Sequence, residues 1–188
     1  VLYASGFNFN DALPWWLDLS IVVFWVVAIT NAMNLLDNMN GLAAGTAVIA
    51  GASRLLLSDQ IGNEEGALAS AVFIGAVLGF LVFNFPRASI FMGDGGSFTI
   101  GFALAALNLS TSGQAYSKTV FSIFIFPVLA LALPIFDTAF VSVVRDFSGR
   151  AISQGGRDHT SHRLVAIGIS ETAAVIILWA ISAAGGAI

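Results

Sequence analysis

The residues that could do chemistry gather in four short clusters along this 188-residue chain. In the first cluster, Asn31, Asn34 and Asp37 are spaced three residues apart, so on a helix they lie along one face and point into the same space. Asn40 closes the segment. Such a set is costly at the end of an apolar helix unless it meets a cation or a polar ligand. The alternative, a helix cap, uses only one or two such residues.

The second cluster is a glycine-rich turn around Asp94. Gly93, Gly95 and Gly96 permit positive φ angles, so that backbone amides can approach a phosphate group closely. Asp94 could offer its carboxylate to a divalent cation that also holds phosphate oxygens. Ser97 is placed to cap the helix that follows. An ordinary tight turn has the same composition. The functional interpretation of this cluster therefore depends on its lying at the same end of the predicted helices as the first cluster.

The third and fourth clusters lie nearer the C-terminus. Asp137 follows Pro134, which can open the helix backbone, so Asp137 is either a functional group or a polar contact between helices. The fourth cluster suits recognition of an anionic group such as a diphosphate. Its members are Arg157, His159, His162 and Arg163. A plain basic loop is the alternative, and a zinc site is disfavoured because the chain has no Cys and two His.

The composition indicates which elements must position these clusters. With 57% hydrophobic and 10% charged residues and a mean hydropathy of +0.90, the chain is a membrane protein. This excludes a soluble enzyme, a disordered tail and a nucleic-acid-binding module. The lack of Cys also excludes a disulfide scaffold and thiolate chemistry.

The apolar runs predict an all-α, polytopic helical bundle, because a bilayer core of about 30 Å needs about 20 apolar residues per helix. Six transmembrane helices are expected, at residues 19–36, 41–57, 67–85, 97–109, 119–144 and 169–188. If they alternate in direction, all four clusters fall on one face of the membrane. Five basic residues lie on that face, which the positive-inside rule assigns to the cytoplasm: Arg87, Arg145, Arg150, Arg157 and Arg163.

Several other side chains are interpreted as membrane anchors. Arg54, near the outer end of its span, and Lys118 are expected to extend to the interface. The tryptophans Trp15, Trp16 and Trp25 are expected to face lipid.

Carboxylates, glycine turns and Arg/His groups at one membrane surface favour phosphoryl transfer with magnesium and a lipid partner. A transporter with broken helices is an alternative, although its polar groups would lie near the bilayer midplane. An intramembrane prenyltransferase is another, but it would carry several carboxylates per motif. Here Asp37 and Asp94 each stand alone in their motif.

Four ordered motifs resemble the polyprenyl-phosphate N-acetylhexosamine-1-phosphate transferases, which form glycosyl transferase family 4. The Asn-x-x-Asn-x-x-Asp…Gly-Leu-Ala motif of the family resembles residues 31–45, and its Pro-x-x-x-x-Phe-Met-Gly-Asp-x-Gly-Ser motif resembles residues 86–97. Pro-Ile-Phe-Asp-Thr occurs unchanged at residues 134–138, and a His-rich Arg-Leu motif at residues 159–164. One such motif would be weak, whereas four in order are specific.

The resemblance implies transfer of a sugar 1-phosphate from a UDP-N-acetylhexosamine, with UDP-GlcNAc preferred, to a polyprenyl phosphate. UMP is the product released, and Mg²⁺ is the cofactor. The implied catalytic residues are Asp37, Asn34 and Asp94, of which Asp94 and Asp37 hold the metal. The implied substrate-binding residues are Asn31, Asn40, Gly93, Gly95, Ser97, Asp137, Arg157, His159, His162 and Arg163. A homodimer is left open.

The chain departs from the family pattern at three places. Asn40 stands where many relatives have a second Asp, and Ser161 where a clustered His often lies. The early Asp-Asp motif of the family does not precede Asn31. With six spans where about ten are expected, residues 1–188 are interpreted as a single transmembrane domain from the C-terminal part of a family member. Whether this part is active by itself is left open.

Overall fold

The computed structural model describes residues 7–8, 13–111, 128–129, 131–149 and 158–186. These residues form helices almost throughout, apart from a two-residue antiparallel pair between β1 (Phe7–Asn8) and β2 (Ser110–Thr111). The helices are α1 (Trp15–Leu36), α2 (Leu42–Gln60), α3 (Glu64–Asn84), α4 (Gly93–Leu107), α5 (Ala132–Phe147), α6 (Thr160–Ala166) and α7 (Glu171–Gly186). The prediction of an all-α, polytopic membrane protein is confirmed.

Within the described residues, α1, α2 and α3 are long and apolar enough to cross a membrane. They confirm the first three predicted spans, with starts and ends shifted by a few residues. The helices α4 and α7 correspond to the fourth and sixth predicted spans but have only 15 and 16 residues. The fifth predicted span lies partly outside the described residues, and α5 covers its end. The short helix α6 was not predicted.

Local sequence signals set where several helices begin. Gly41 adopts a left-handed conformation, with φ of 78°, and turns the chain from α1 into α2. The side chain of Asn63 accepts a hydrogen bond from the backbone amide of Gly66 at 2.8 Å, which caps α3. Gly93 has φ of 63° at the start of α4. These turns send successive helices back across the bundle.

The core lies between two groups of helices. The helix α1 packs mainly against α4 and α5, and α2 packs against α3 and α7. On α1 the buried side chains recur every three or four residues, including Val22, Ile29 and Leu36, which indicates one buried face. Gly101 allows α4 to approach α1 closely, because a Cβ atom there would lie 2.7 Å from Thr30 Cα.

One of the predicted membrane anchors is wrong. Trp25 is buried, and its Nε1 donates to the carbonyl of Ala105 at 3.2 Å, because α4 packs on that face of α1. Arg54 is half-buried and caps the end of α4, since its Nε donates to the carbonyl of Leu107 at 2.7 Å. Trp15 and Trp16 are 69% and 57% exposed, as lipid-facing residues would be. Lys118 lies outside the described residues.

Candidate active site

The first two sequence clusters meet where α1 ends and α4 begins. Asn34 Nδ2 donates to Asp94 Oδ1 at 3.0 Å and to Ser97 Oγ at 2.9 Å. These contacts join residues 60 and 63 positions apart in the chain. They form because α1 and α4 pack side by side with their polar ends together. Two of the residues implied to be catalytic, Asn34 and Asp94, are therefore joined by a direct hydrogen bond.

Asp37 lies beside this contact as the residue that ends α1. Burial, and then the negative charge of Asp94, raise the pKa of the Asp37 carboxyl above its usual range. Asp94 itself is exposed. The two carboxylates thus lie close enough for their charges to repel, and a bound cation would relieve this repulsion.

The glycine turn differs in part from the prediction. Only Gly93 has a positive φ angle, whereas Gly95 and Gly96 are helical. The prediction that Ser97 caps α4 is wrong, because α4 already begins at Gly93 and Ser97 Oγ donates back to the carbonyl of Gly93 at 3.1 Å. A Cβ atom added at Gly93 or Gly95 would meet nothing within 4 Å, so open space adjoins these backbone amides.

Asn84 is a functional candidate that the sequence analysis missed. It is buried at the end of α3, where its Oδ1 accepts from the amide of Gly41 at 2.7 Å and its Nδ2 donates to the carbonyl of Ile90 at 2.9 Å. One side chain therefore ties the α1–α2 turn to the loop before Asp94. The available signal was an Asn at the end of an otherwise apolar helix.

The histidine cluster is built on α5 and α6. His159 Nδ1 lies 2.7 Å from Asp137 Oδ2, and the backbone amide of Thr160 donates to Asp137 Oδ1 at 2.8 Å. The structure places Asp137, which is 2% exposed, behind His159 rather than on the open surface. The ring of His162 lies 6.5 Å from that of His159, centroid to centroid.

A second contact that sequence reasoning missed attaches α6 to the first cluster. Ser161 Oγ donates to Asn38 Oδ1 at 2.6 Å, and Asn38 Nδ2 donates to the carbonyl of Leu35 at 2.9 Å. Ser161 is buried. The serine at this position therefore joins the histidine helix to the turn that carries Asp37. Its small side chain and hydroxyl donor make the contact possible.

The structure connects the remaining predicted site residues less directly to Asp37 and Asp94. Arg163 Nε donates to the carbonyl of Asp158 at 3.1 Å, and its guanidinium lies 4.8 Å from the ring centroid of Phe140. Asn40 is half-buried in the α1–α2 turn.

Asn31 Nδ2 donates to the carbonyl of Val27 in its own helix. It lines an apolar groove of about 580 Å³ along α1, so the structure does not bring it into contact with Asp94. Arg157 lies outside the described residues.

Comparison with known proteins decides the family. The profile of glycosyl transferase family 4 matches residues 2–112, which is more than half of the chain and includes the first two clusters. The chain belongs to glycosyl transferase family 4. This agrees with the resemblance expected from the four motifs.

Curated family 4 relatives extend the match beyond the profile. The chain is 41% identical over 88% of its length to a probable undecaprenyl-phosphate N-acetylglucosaminyl 1-phosphate transferase of Bacillus subtilis, covering 46% of that protein. It is 37% identical over 81% of its length to the decaprenyl-phosphate N-acetylglucosaminephosphotransferase of Mycobacterium tuberculosis, covering 42% of it. A phospho-N-acetylmuramoyl-pentapeptide-transferase of Geobacillus kaustophilus is 33% identical over 96% of the chain, which covers 53% of the relative. The chain spans about half the length of these relatives.

Family 4 membership also helps to decide between a transferase and the two alternatives, a transporter and an intramembrane prenyltransferase. Asp37, Asp94 and His159 lie at or beyond helix ends, at the single end of the bundle where α1, α3 and α5 finish. A transporter site would be expected near the middle of the spans. Both the family and the position of the carboxylates therefore favour the transferase over the transporter and the prenyltransferase.

Proposed function

We propose that the protein transfers N-acetylhexosamine 1-phosphate from a UDP-linked donor, UDP-GlcNAc, to a polyprenyl phosphate. The products are UMP and a polyprenyl diphosphate sugar for cell-envelope polysaccharide synthesis. One observation carries the proposal, which is the closeness of two carboxylates at the end of a membrane bundle: Asp37 feels the negative charge of Asp94, and Asn34 holds Asp94 by a hydrogen bond. The printed names of the relatives, which include GlcNAc 1-phosphate transferases acting on undecaprenyl and decaprenyl phosphate, support the substrate classes.

Magnesium fits this pair of carboxylates. No group of three or more His, Cys, Asp or Glu suited to a metal occurs in the part of the chain that the structure describes. Mg²⁺ does not require one, because it is commonly held by one or two carboxylates, water and substrate phosphates. Asp94, which is exposed, and Asp37 would hold the ion. When bound, Mg²⁺ would neutralise charge on the diphosphate and help to align an in-line attack.

The other residues of the site have distinct roles in this proposal. Asn34 orients Asp94 by donating to one carboxylate oxygen, which leaves the other oxygen for a cation. The open backbone at Gly93 and Gly95 would accept a phosphate group. The nucleotide sugar would meet the basic cluster on and before α6, whose members are Arg157, His159, His162 and Arg163. Asn40, half-buried in the α1–α2 turn, would border the bound substrates, whereas Asn31 lines the groove along α1 and Ser97 is buried, where it accepts a hydrogen bond from Asn34.

The names of the relatives contain two kinds of transferred group, N-acetylglucosaminyl 1-phosphate and phospho-N-acetylmuramoyl-pentapeptide. The Pro-Ile-Phe-Asp-Thr sequence at residues 134–138 supports the simpler GlcNAc donor. The higher identity to the GlcNAc 1-phosphate transferase, 41% against 33%, points the same way.

The test replaces Asp94 with Asn in the full-length protein, reconstituted in lipid nanodiscs with UDP-GlcNAc, undecaprenyl phosphate and Mg²⁺. We expect release of UMP by the wild type to require both the lipid phosphate and Mg²⁺. Asp94→Asn should lower kcat by about 100-fold or more, the scale of losing one charge-stabilising group in a transition state. Asp59→Asn, an exposed acid at the opposite end of α2, is the matched control and should keep wild-type kcat.

Two results would contradict the proposal. Absence of UMP with any UDP-N-acetylhexosamine, from wild-type protein shown to be folded, would remove the transferase function. Equal kcat for Asp94→Asn and Asp59→Asn would remove Asp94 from the metal site while leaving the reaction in place.

A further inference from the structure

The buried carboxylate of Asp137 uses both of its oxygens within the protein. Oδ1 accepts from the backbone amide of Thr160, and Oδ2 lies 2.7 Å from His159 Nδ1. Asp137 is 2% exposed and His159 is 5% exposed. A buried carboxylate is stable only if its oxygens receive hydrogen bonds. These two donors therefore hold Asp137 in place, and Asp137 in turn holds the imidazole.

This contact determines which ring nitrogen of His159 carries a proton. An ionised carboxylate can only accept hydrogen bonds, so Nδ1 must be the donor. The proton stays on Nδ1 whether the ring is neutral or charged, and only Nε2 changes between acceptor and donor. No hydrogen-bond partner for Nε2 occurs among the described residues. Nε2 is thus the nitrogen left to meet a ligand.

The surroundings of His159 restrict movement of the ring. Immediately before it, Asp158 Oδ2 pairs with the buried guanidinium of Arg145 at 3.1 Å. Two residues after it, Ser161 is bonded to Asn38 in the α1–α2 turn. The backbone on both sides of His159 is therefore attached to other helices, so the ring is presented from a fixed position close to the turn that carries Asp37.

We infer that Asp137 is a positioning residue, which keeps a proton on His159 Nδ1 and leaves Nε2 for the substrate, as an acceptor when the ring is neutral and as a donor to an anionic group once the ring is protonated, without Asp137 touching the substrate itself. Its effect on turnover rests on the proposed function, whereas its effect on the tautomer does not. This differs from the sequence-based expectation that Asp137 binds substrate directly.

The isosteric change Asp137→Asn tests the inference sharply, because the amide has only one accepting atom. The amide of Thr160 is always a donor, so the Asn oxygen must face Thr160 and its NH₂ group must face His159 Nδ1. A neutral ring then has to accept at Nδ1 and carry its proton on Nε2. The fold keeps its hydrogen bonds while the tautomer is reversed.

The tautomer is measured by long-range ¹H–¹⁵N correlation on the chain labelled with ¹⁵N-histidine, in nanodiscs at a pH where the rings are neutral. Because the chain has two His, a His162→Asn variant assigns both sets of signals. We expect Nδ1–H for His159 in the wild type and Nε2–H in Asp137→Asn. The control Thr138→Val removes the neighbouring buried hydroxyl, which has no partner among the described residues, and should leave His159 in the Nδ1–H form.

An Nε2–H wild-type His159 would overturn the inference, and this measurement does not depend on the folding of Asp137→Asn. The same tautomer in wild type and Asp137→Asn would overturn it as well.

The second readout is UMP release by the full-length protein. We expect Asp137→Asn to lower kcat by about 10–100-fold, the usual effect of removing a partner that orients a functional histidine, with a smaller change in KM for UDP-GlcNAc. Thr138→Val should keep wild-type kcat. A reversed tautomer with unchanged kcat would overturn the role of Asp137 in turnover while the proposed function stands. If the wild type releases no UMP, the proposed function is contradicted. The inference about the His159 tautomer is not, because the tautomer is measured separately.

Discussion

At the scale of single residues, the site stores electrostatic repulsion. Asp37 is half-buried at the end of α1 and lies close to the negative charge of Asp94. Burial and that charge both favour the protonated form of Asp37, so its ionised form destabilises the fold unless a cation is bound. Binding sites often carry such a cost, because the arrangement that suits a ligand does not suit the empty protein.

We therefore expect Asp37→Asn to raise the thermal midpoint of the metal-free protein at neutral pH. Because the pKa of Asp37 is raised, the folded state binds the Asp37 proton more tightly than the unfolded state does. The stability that this proton contributes to the wild type is therefore present at low pH and is lost as pH rises through the folded pKa. Differential scanning fluorimetry with and without EDTA measures the effect.

Magnesium supplies the comparison for the same variant. Mg²⁺ should raise the thermal midpoint of the wild type, because a ligand that binds only the folded state stabilises that state. It should have little effect on Asp37→Asn, which lacks one of the two carboxylates proposed to hold the ion. An Asp37→Asn protein that is less stable than the wild type in EDTA at neutral pH would contradict the repulsion described above.

At the scale of elements, the contact between α1 and α4 brings the two carboxylates together. Asn34 can reach Asp94 and Ser97 only if the helix axes lie close. Gly101 permits that approach, since it is buried against Thr30 and Met33 of α1. Asn84 adds a second constraint from α3 by bonding both Gly41 and Ile90. The site is thus positioned by helix packing rather than by the loops alone.

Gly101→Ala should destabilise the protein by about 1–3 kcal/mol, because the new methyl group overlaps backbone that cannot move away easily. The matched control is Gly79→Ala on α3, where an added Cβ meets nothing within 4 Å. That change should stabilise by about 0.4–1 kcal/mol through reduced freedom of the unfolded chain. Unfolding in a denaturing detergent titration measures both. Equal effects of the two changes would show that the close approach of α1 and α4 does not limit stability.

At the scale of the whole molecule, the polar clusters lie at one end of the bundle and the α2–α3 turn lies at the other. The end with the clusters also holds Arg87, Arg145 and Arg163, whereas the opposite turn holds Asp59, Glu64 and Glu65. By the positive-inside rule the site should face the cytoplasm. A nucleotide-sugar donor made in the cytoplasm would then reach the site without crossing the membrane.

The absence of Cys from the chain allows a direct test of this orientation. Ser89→Cys places a thiol on the exposed loop before Asp94, and Gln60→Cys places one at the exposed opposite end of α2. A membrane-impermeant maleimide should label Ser89→Cys only in inverted vesicles and Gln60→Cys only in right-side-out vesicles. The reverse pattern would contradict the cytoplasmic orientation, and labelling of both from one side would contradict a membrane crossing by α3.

Much of the architecture follows from the sequence by itself. Long apolar runs require helices in a membrane, because backbone polar groups there must be satisfied within each segment. Alternation of those helices then places residues 31–45, 86–97 and 159–164 at one end, and the four ordered motifs indicate the family. The sequence did not predict the short helix α6, since its seven residues are too few to show a periodic pattern.

Only the tertiary structure decided which side chains meet. Trp25 and Arg54, which suit a lipid surface by type, are taken into the protein because α4 packs against α1 and ends beside α2. The contact of Asn38 with Ser161 spans 123 positions. Such contacts depend on the rotation of each helix about its axis and on close packing between helices. Both are set by all the neighbouring side chains at once, so no local stretch of sequence contains them.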